Sequence, residues 1–98
     1  MLLQVTAANT PAILTDTGTA LSANADRKGW MFQNLGTNPI FIRLGANASS
    51  SLFHIVVKGG TGQDDGTGGS SNQVGGVVYT GIISIAGTNP RYIVTELI

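Results

Sequence analysis

At 98 residues the chain has room for one domain, 1–98, with a single modest core. Charged side chains make up 10% of it, five basic and five acidic, and the cations are scattered except for Arg27-Lys28; this excludes the basic patch that a nucleic-acid or anionic-membrane partner requires. Cysteine is absent, which removes disulfide staples, thiolate nucleophiles and thiolate metal sites together.

The amino terminus, Met1-Leu2-Leu3-Gln4-Val5, has no basic leader, and no run in the chain approaches membrane-spanning length, so a soluble product without an export signal is expected. Leu2 to Ala7 alternates as a strand does, Pro11 interrupts, and Ala12-Ile13-Leu14-Thr15 is a short apolar piece; residues 1–18 read as an edge strand or an extended arm. Asp16 and Gly18 mark a turn, and Ala20 to Ser22 gives a further short strand. Ser22 to Gly29 is polar and holds the local cluster of charges, which places it in an exposed loop.

A unit then appears that the chain uses twice. Gly29 to Leu44 (GWMFQNLGTNPIFIRL) and Gly81 to Leu97 (GIISIAGTNPRYIVTEL) each set an apolar run before Gly-Thr-Asn-Pro and an alternating run after it. Gly and Asn favour chain reversal, and Pro is permitted at the first residue of a strand. The pattern predicts two β-hairpins in the same register, Phe41 answering to Tyr92 and Ile42 to Ile93. Two copies are too few for a solenoid, so they imply pseudo-symmetry within one sandwich or barrel.

Between the copies, Gly45 to Ser51 is loop by composition, and Leu52 to Lys58 (LFHIVVK) reads as a buried central strand. The Gly-rich tract 59–76 is expected to be one long flexible loop unless a partner fixes it, with Gly59, Gly60, Asp64, Asp65 and Gly66 among its residues. Val77 to Thr80 resumes the sheet. The fold class is all-β: a single small β-sandwich or jelly-roll-like barrel of about seven or eight antiparallel strands.

Chemistry-bearing patterns are sparse. The single His54 lies in the strongest apolar run, with too few carboxylates and no Cys to complete a metal or catalytic set. Asp64-Asp65 are adjacent in the glycine tract and are not preorganised for acid/base work. Gly59-Gly60-Thr61-Gly62-Gln63-Asp64 matches the first half of a calcium-binding nonapeptide, but Gly66 stands where that motif needs an apolar residue and no tandem copy follows. Phosphate-cradling loops and nucleophile elbows do not occur. Trp30, Phe32, Phe41, Phe53, Tyr79 and Tyr92 lack the interleaved cations of a base-stacking platform and read as core and subunit interface. No catalytic, cofactor or metal residue is assigned, and an enzyme is not expected.

The series Arg27-Lys28, Gln33-Asn34-Leu35-Gly36-Thr37-Asn38-Pro39-Ile40-Phe41-Ile42-Arg43-Leu44-Gly45, Asp64-Asp65-Gly66 and Tyr79-Thr80-Gly81-Ile82-Ile83-Ser84-Ile85 resembles small virion proteins of tailed bacteriophages, the head-decoration or cement type and related fibre-base modules. The resemblance covers most of the chain from about Ala23 onward. It implies a β-sandwich or jelly-roll-like homotrimer, made in the host cytoplasm and seated on the outer capsid surface, where it binds the major capsid protein and reinforces the shell. Neither nucleic acid nor membrane is a partner in that reading. Capsid or subunit contacts would then come from Leu2, Leu3, Val5, Ile13 and Leu14, with Trp30 and Tyr79. The alternative is a receptor- or glycan-binding module of a phage fibre or head appendage.

Overall fold

The structure is a computed structural model and describes residues 10–98. The expected strand at Leu2 to Ala7, and with it the contact residues Leu2, Leu3 and Val5, lies outside the described residues. Eight strands follow: β1 (Ala12–Leu14), β2 (Gly18–Leu21), β3 (Gly29–Asn34), β4 (Ile40–Leu44), β5 (Ile55–Val57), β6 (Ser70–Val74), β7 (Ile83–Gly87) and β8 (Tyr92–Leu97). They form two four-stranded sheets, β1-β8-β3-β6 and β2-β7-β4-β5, with every ladder antiparallel. The pairs β1·β8, β2·β7, β3·β6 and β4·β5 are those of one long hairpin rolled up on itself. That is the jelly-roll arrangement of a β-sandwich.

The repeated units do not fold as hairpins. β3 pairs with β6 and β8, and β4 pairs with β5 and β7, so each Gly-Thr-Asn-Pro carries the chain from one sheet across to the other. The cause is the apolar face on every flanking strand: Trp30 and Phe32, Ile40 and Ile42, Ile83 and Ile85, Tyr92 and Val94 are all buried. Stacking these strands face to face buries both faces at once. The two turns meet at one end of the sandwich, where Asn38 Nδ2 donates to the Thr88 carbonyl at 2.9 Å.

The register also differs between the copies. β4 starts directly after Pro39, whereas Arg91 intervenes between Pro90 and β8, and one extra residue turns every side chain to the other face. Tyr92 therefore points inward and stacks on Phe32 with centroids 4.9 Å apart, while Phe41 points outward against Phe53 at 5.0 Å. Burial, and then the nearby Asp16, push the Tyr92 phenol up to about 12. The internal pseudo-symmetry is nevertheless present, because exchanging β1–β4 with β5–β8 converts the strand order of one sheet into that of the other.

Three further expectations are corrected. Leu52 to Lys58 is not a buried central strand: only Ile55–Val57 is extended, at the edge of the second sheet, with Val57 buried and Leu52, Phe53 and Val56 exposed. The tract 59–76 is not one loop, since β6 lies inside it and pairs along β3. Val77 to Thr80 forms no strand; Val77 is 99% exposed, while Val78 and Tyr79 pack against the core.

Both open ends of the sandwich are closed by a buried polar side chain. Arg27, expected in an exposed loop, is 4% exposed. Its Nε donates to Glu96 Oε2 at 2.9 Å, Nη1 to the carbonyls of Tyr79 and Gly81 at 2.9 Å each, and Nη2 to the Ser22 carbonyl at 2.6 Å. Glu96 belongs to the first sheet, while Ser22, Tyr79 and Gly81 flank β2 and β7 of the second. At the other end Asn34 Nδ2 reaches the carbonyls of Asn38, Val57 and Lys58, and its Oδ1 accepts from Gly36 N at 2.9 Å. The chain is drawn tightly against this clamp: a methyl group on Gly68 would collide with the Asn34 carbonyl, and one on Gly59 with the Thr37 carbonyl.

Arg27→Met removes the donors to one Glu96 oxygen and three carbonyls, leaving Glu96 only its hydrogen bond from Asn24, and should destabilise the protein by about 2–4 kcal/mol in urea unfolding. Gly68→Ala should cost about 1–3 kcal/mol through overpacking against backbone. Gly36→Ala, where the added carbon meets Arg91 at an ordinary 3.6 Å, should cost less than about 1 kcal/mol in the same measurement.

Candidate functional site

Among the described residues, those expected at contacts (Ile13, Leu14, Trp30 and Tyr79) do not converge. Trp30 is a core side chain, 1% exposed, with its indole N–H donated to Gln73 Oε1 at 2.8 Å, so it is corrected from a surface contact to an interior one. Leu14 and Tyr79 pack against the core. Ile13 is 52% exposed on β1, the outermost described strand of its sheet. The aromatic residues divide likewise, with Trp30, Phe32 and Tyr92 inside and the Phe41–Phe53 pair outside.

The first half of the glycine tract is tied to the frame. Gly60 N donates to the Gly36 carbonyl at 2.9 Å and Asp64 N to the Leu35 carbonyl at 2.8 Å. Asp64, with a left-handed φ of 58°, receives Arg91 Nε at 2.8 Å and Nη2 at 3.0 Å. Asp65 instead accepts from the Thr67 amide at 2.9 Å and the Thr61 hydroxyl at 3.1 Å. The Arg91 hydrogen bond holds the Asp64 carboxyl below its ordinary value, and the Thr67 hydroxyl does the same for Asp65. Both carboxylates are thus spent on fixing the loop, and Gly66 supplies its turn with φ 81°. His54 is exposed, and its Nδ1 accepts the Leu44 amide proton at 3.1 Å. Among the described residues no three His, Cys, Asp or Glu side chains gather as a metal site would need.

Two surfaces remain. The first is the outer face of the sheet β1-β8-β3-β6, whose rows are set by the register: Ile13, Ile93, Gln33, Ser70; then Thr95, Met31, Asn72; then Leu97, Gly29, Val74. No side chain in these rows is charged, and Ile13, Met31 and Val74 are each about half exposed. The chain's alternation after Gly-Thr-Asn-Pro announced this face on β8. It did not on β6, whose Ser-Ser-Asn-Gln-Val has no apolar period.

The second surface is a groove of about 630 Å³ on the outer face of the opposite sheet. Phe41 and Ala86, cross-strand partners on β4 and β7, form its floor. Residues 17–19 flank it on one side, the loop 46–50 on another, and the two Gly-Thr-Asn-Pro turns supply its end. The loop is held by Ser84, which faces outward yet is 1% exposed: its hydroxyl donates to the Gly45 carbonyl at 2.6 Å and accepts from Ala48 N at 2.9 Å. Asn47 takes a left-handed φ of 63°, and Ser49 and Leu52 exchange backbone hydrogen bonds at 3.0 and 3.2 Å. Nothing in the sequence marked this groove, because its walls are Thr, Ser, Asn and Gly that read as turns.

No protein-family model, curated protein or solved structure matches the chain.

The folded state holds Asp64 ionised to lower pH than the unfolded chain does. Its ion pair therefore contributes stability above the ordinary carboxyl value of 3.8, and that contribution is lost as pH falls through the lower folded value. NMR titration of the Asp64 side chain should place its midpoint below 3.8, and Arg91→Gln should return it toward that value.

Proposed function

We propose that the chain is a structural virion protein of the decoration or cement type, which binds the outer surface of a phage capsid and reinforces contacts between its subunits. The outer face of the first sheet docks on the major capsid protein, and the chain assembles as a homotrimer. The observation that carries this reading is the uncharged, half-apolar face built on Ile13, Met31, Val74 and Ile93. A sheet face that mixes exposed apolar with uncharged polar side chains and carries no charge suits protein contact. The resemblance of Gln33 to Gly45 and of Tyr79 to Ile85 to decoration proteins supports the same reading. The charged groups at Asp64, Arg91, Arg27 and Glu96 are paired within the fold, which fits a binding role better than a catalytic one.

Co-expressed with the major capsid protein of its phage, the chain should sediment with shells. Met31→Glu and Val74→Glu should each leave it in the supernatant while changing stability by less than about 0.5 kcal/mol, as exposed positions do. Failure of the unaltered chain to co-sediment overturns the proposal, and a monomer mass by light scattering overturns its trimeric part.

A further inference from the structure

We infer that the groove over Phe41 and Ala86 is a binding site for a neutral carbohydrate, a short run of uncharged sugar units. It lies on the opposite sheet from the proposed capsid-facing surface and is independent of it. The volume of about 630 Å³ falls within the range that small-ligand sites occupy.

The chemistry of the lining selects the ligand class. No lining residue is charged, so a phosphate, nucleotide or uronic acid finds no counter-ion. The rim carries the hydroxyls of Thr17, Thr19, Ser50 and Thr88 and the amide of Asn47. Among the described residues none of these five side chains is engaged by another protein group, whereas Ser49 and Ser84 are. Hydroxyls and amides both donate and accept, which matches a sugar hydroxyl and leaves a wholly apolar ligand with nothing to satisfy them. The floor supplies the complementary element. Phe41 is flanked by Phe53 and by Val56, its cross-strand partner on β5, and its partner on β7 is the small Ala86, so no large side chain covers it from that strand. A sugar ring presents an apolar C–H face that packs on such an aromatic surface.

The walls are set before any ligand arrives. Ser84 anchors the loop at Gly45 and Ala48, the Ser49–Leu52 bridge closes it, and the Asn38–Thr88 bond joins the turns at the end of the groove. Little ordering entropy is then left for binding to offset.

The test is an amide NMR titration of the full chain with maltohexaose, cellohexaose and mannohexaose, and with an alginate hexamer as the anionic counterpart. At least one neutral sugar should shift the amides of residues 17–19, 46–50 and 88, with millimolar affinity. Phe41→Ala should weaken that binding about tenfold. Ala86→Leu, which fills the floor without touching the core, should abolish it and keeps the test decisive if Phe41→Ala unfolds. The proposal is overturned if none of the three neutral sugars shifts these amides, or if alginate binds as tightly. It is equally overturned if the same amides shift with protein concentration alone, which would assign the groove to a second copy of the chain.

Discussion

The guanidinium of Arg27 is the point at which the two sheets are tied. Apolar stacking of Trp30, Phe32 and Tyr92 against Ile40, Ile42, Ile83 and Ile85 supplies cohesion, but such packing is non-directional. Arg27 adds direction: its planar fork reaches a carboxylate on one sheet and three carbonyls beside the other, which few alternative placements of the strands would satisfy. Asn24 completes the cluster by donating to the second oxygen of Glu96 at 3.2 Å. Asn34 does the equivalent at the far end, using a neutral amide where no charge needs to be buried.

Spending polar chemistry inside the frame determines what the exterior presents. Arg27 and Glu96 close one end, Arg91 and Asp64 pin the glycine loop, and Asp65 winds it. The strand faces are left almost free of charge, and they differ in shape. One is flat and half-apolar. The other is overlaid by the Gly45 to Ser51 loop, whose bonds to Ser84 convert a plain sheet surface into a walled groove.

The strands with a clear apolar face, β3, β4, β7 and β8, were legible in the sequence, and so was the repeated unit they form. Their partners were not. A hairpin and a crossing between sheets have the same local pattern, and the choice rests on which apolar faces meet, a property of strands distant in the chain. The single residue Arg91 defeated the register for the same reason, since its effect appears only when Tyr92 and Phe41 are compared by burial. β6 was hidden because Ser71 and Gln73 are inward-facing polar residues, Gln73 being satisfied by the Trp30 indole. Arg27 was read as exposed because its counter-ion lies 69 residues away. The groove left no trace, being composed of residue types that turns use.

The strand order has a consequence for how this chain reaches its native state. Every ladder, β1·β8, β3·β8, β3·β6, β2·β7, β4·β7 and β4·β5, joins a strand of the first four to one of the last four. Within either set no two described strands are neighbours, so among the described residues the first four strands pair only with strands that follow them in the chain. Folding of the described strands therefore depends mainly on encounters between distant segments, the kind of topology associated with slow folding, and each sheet is built jointly from both sets of strands.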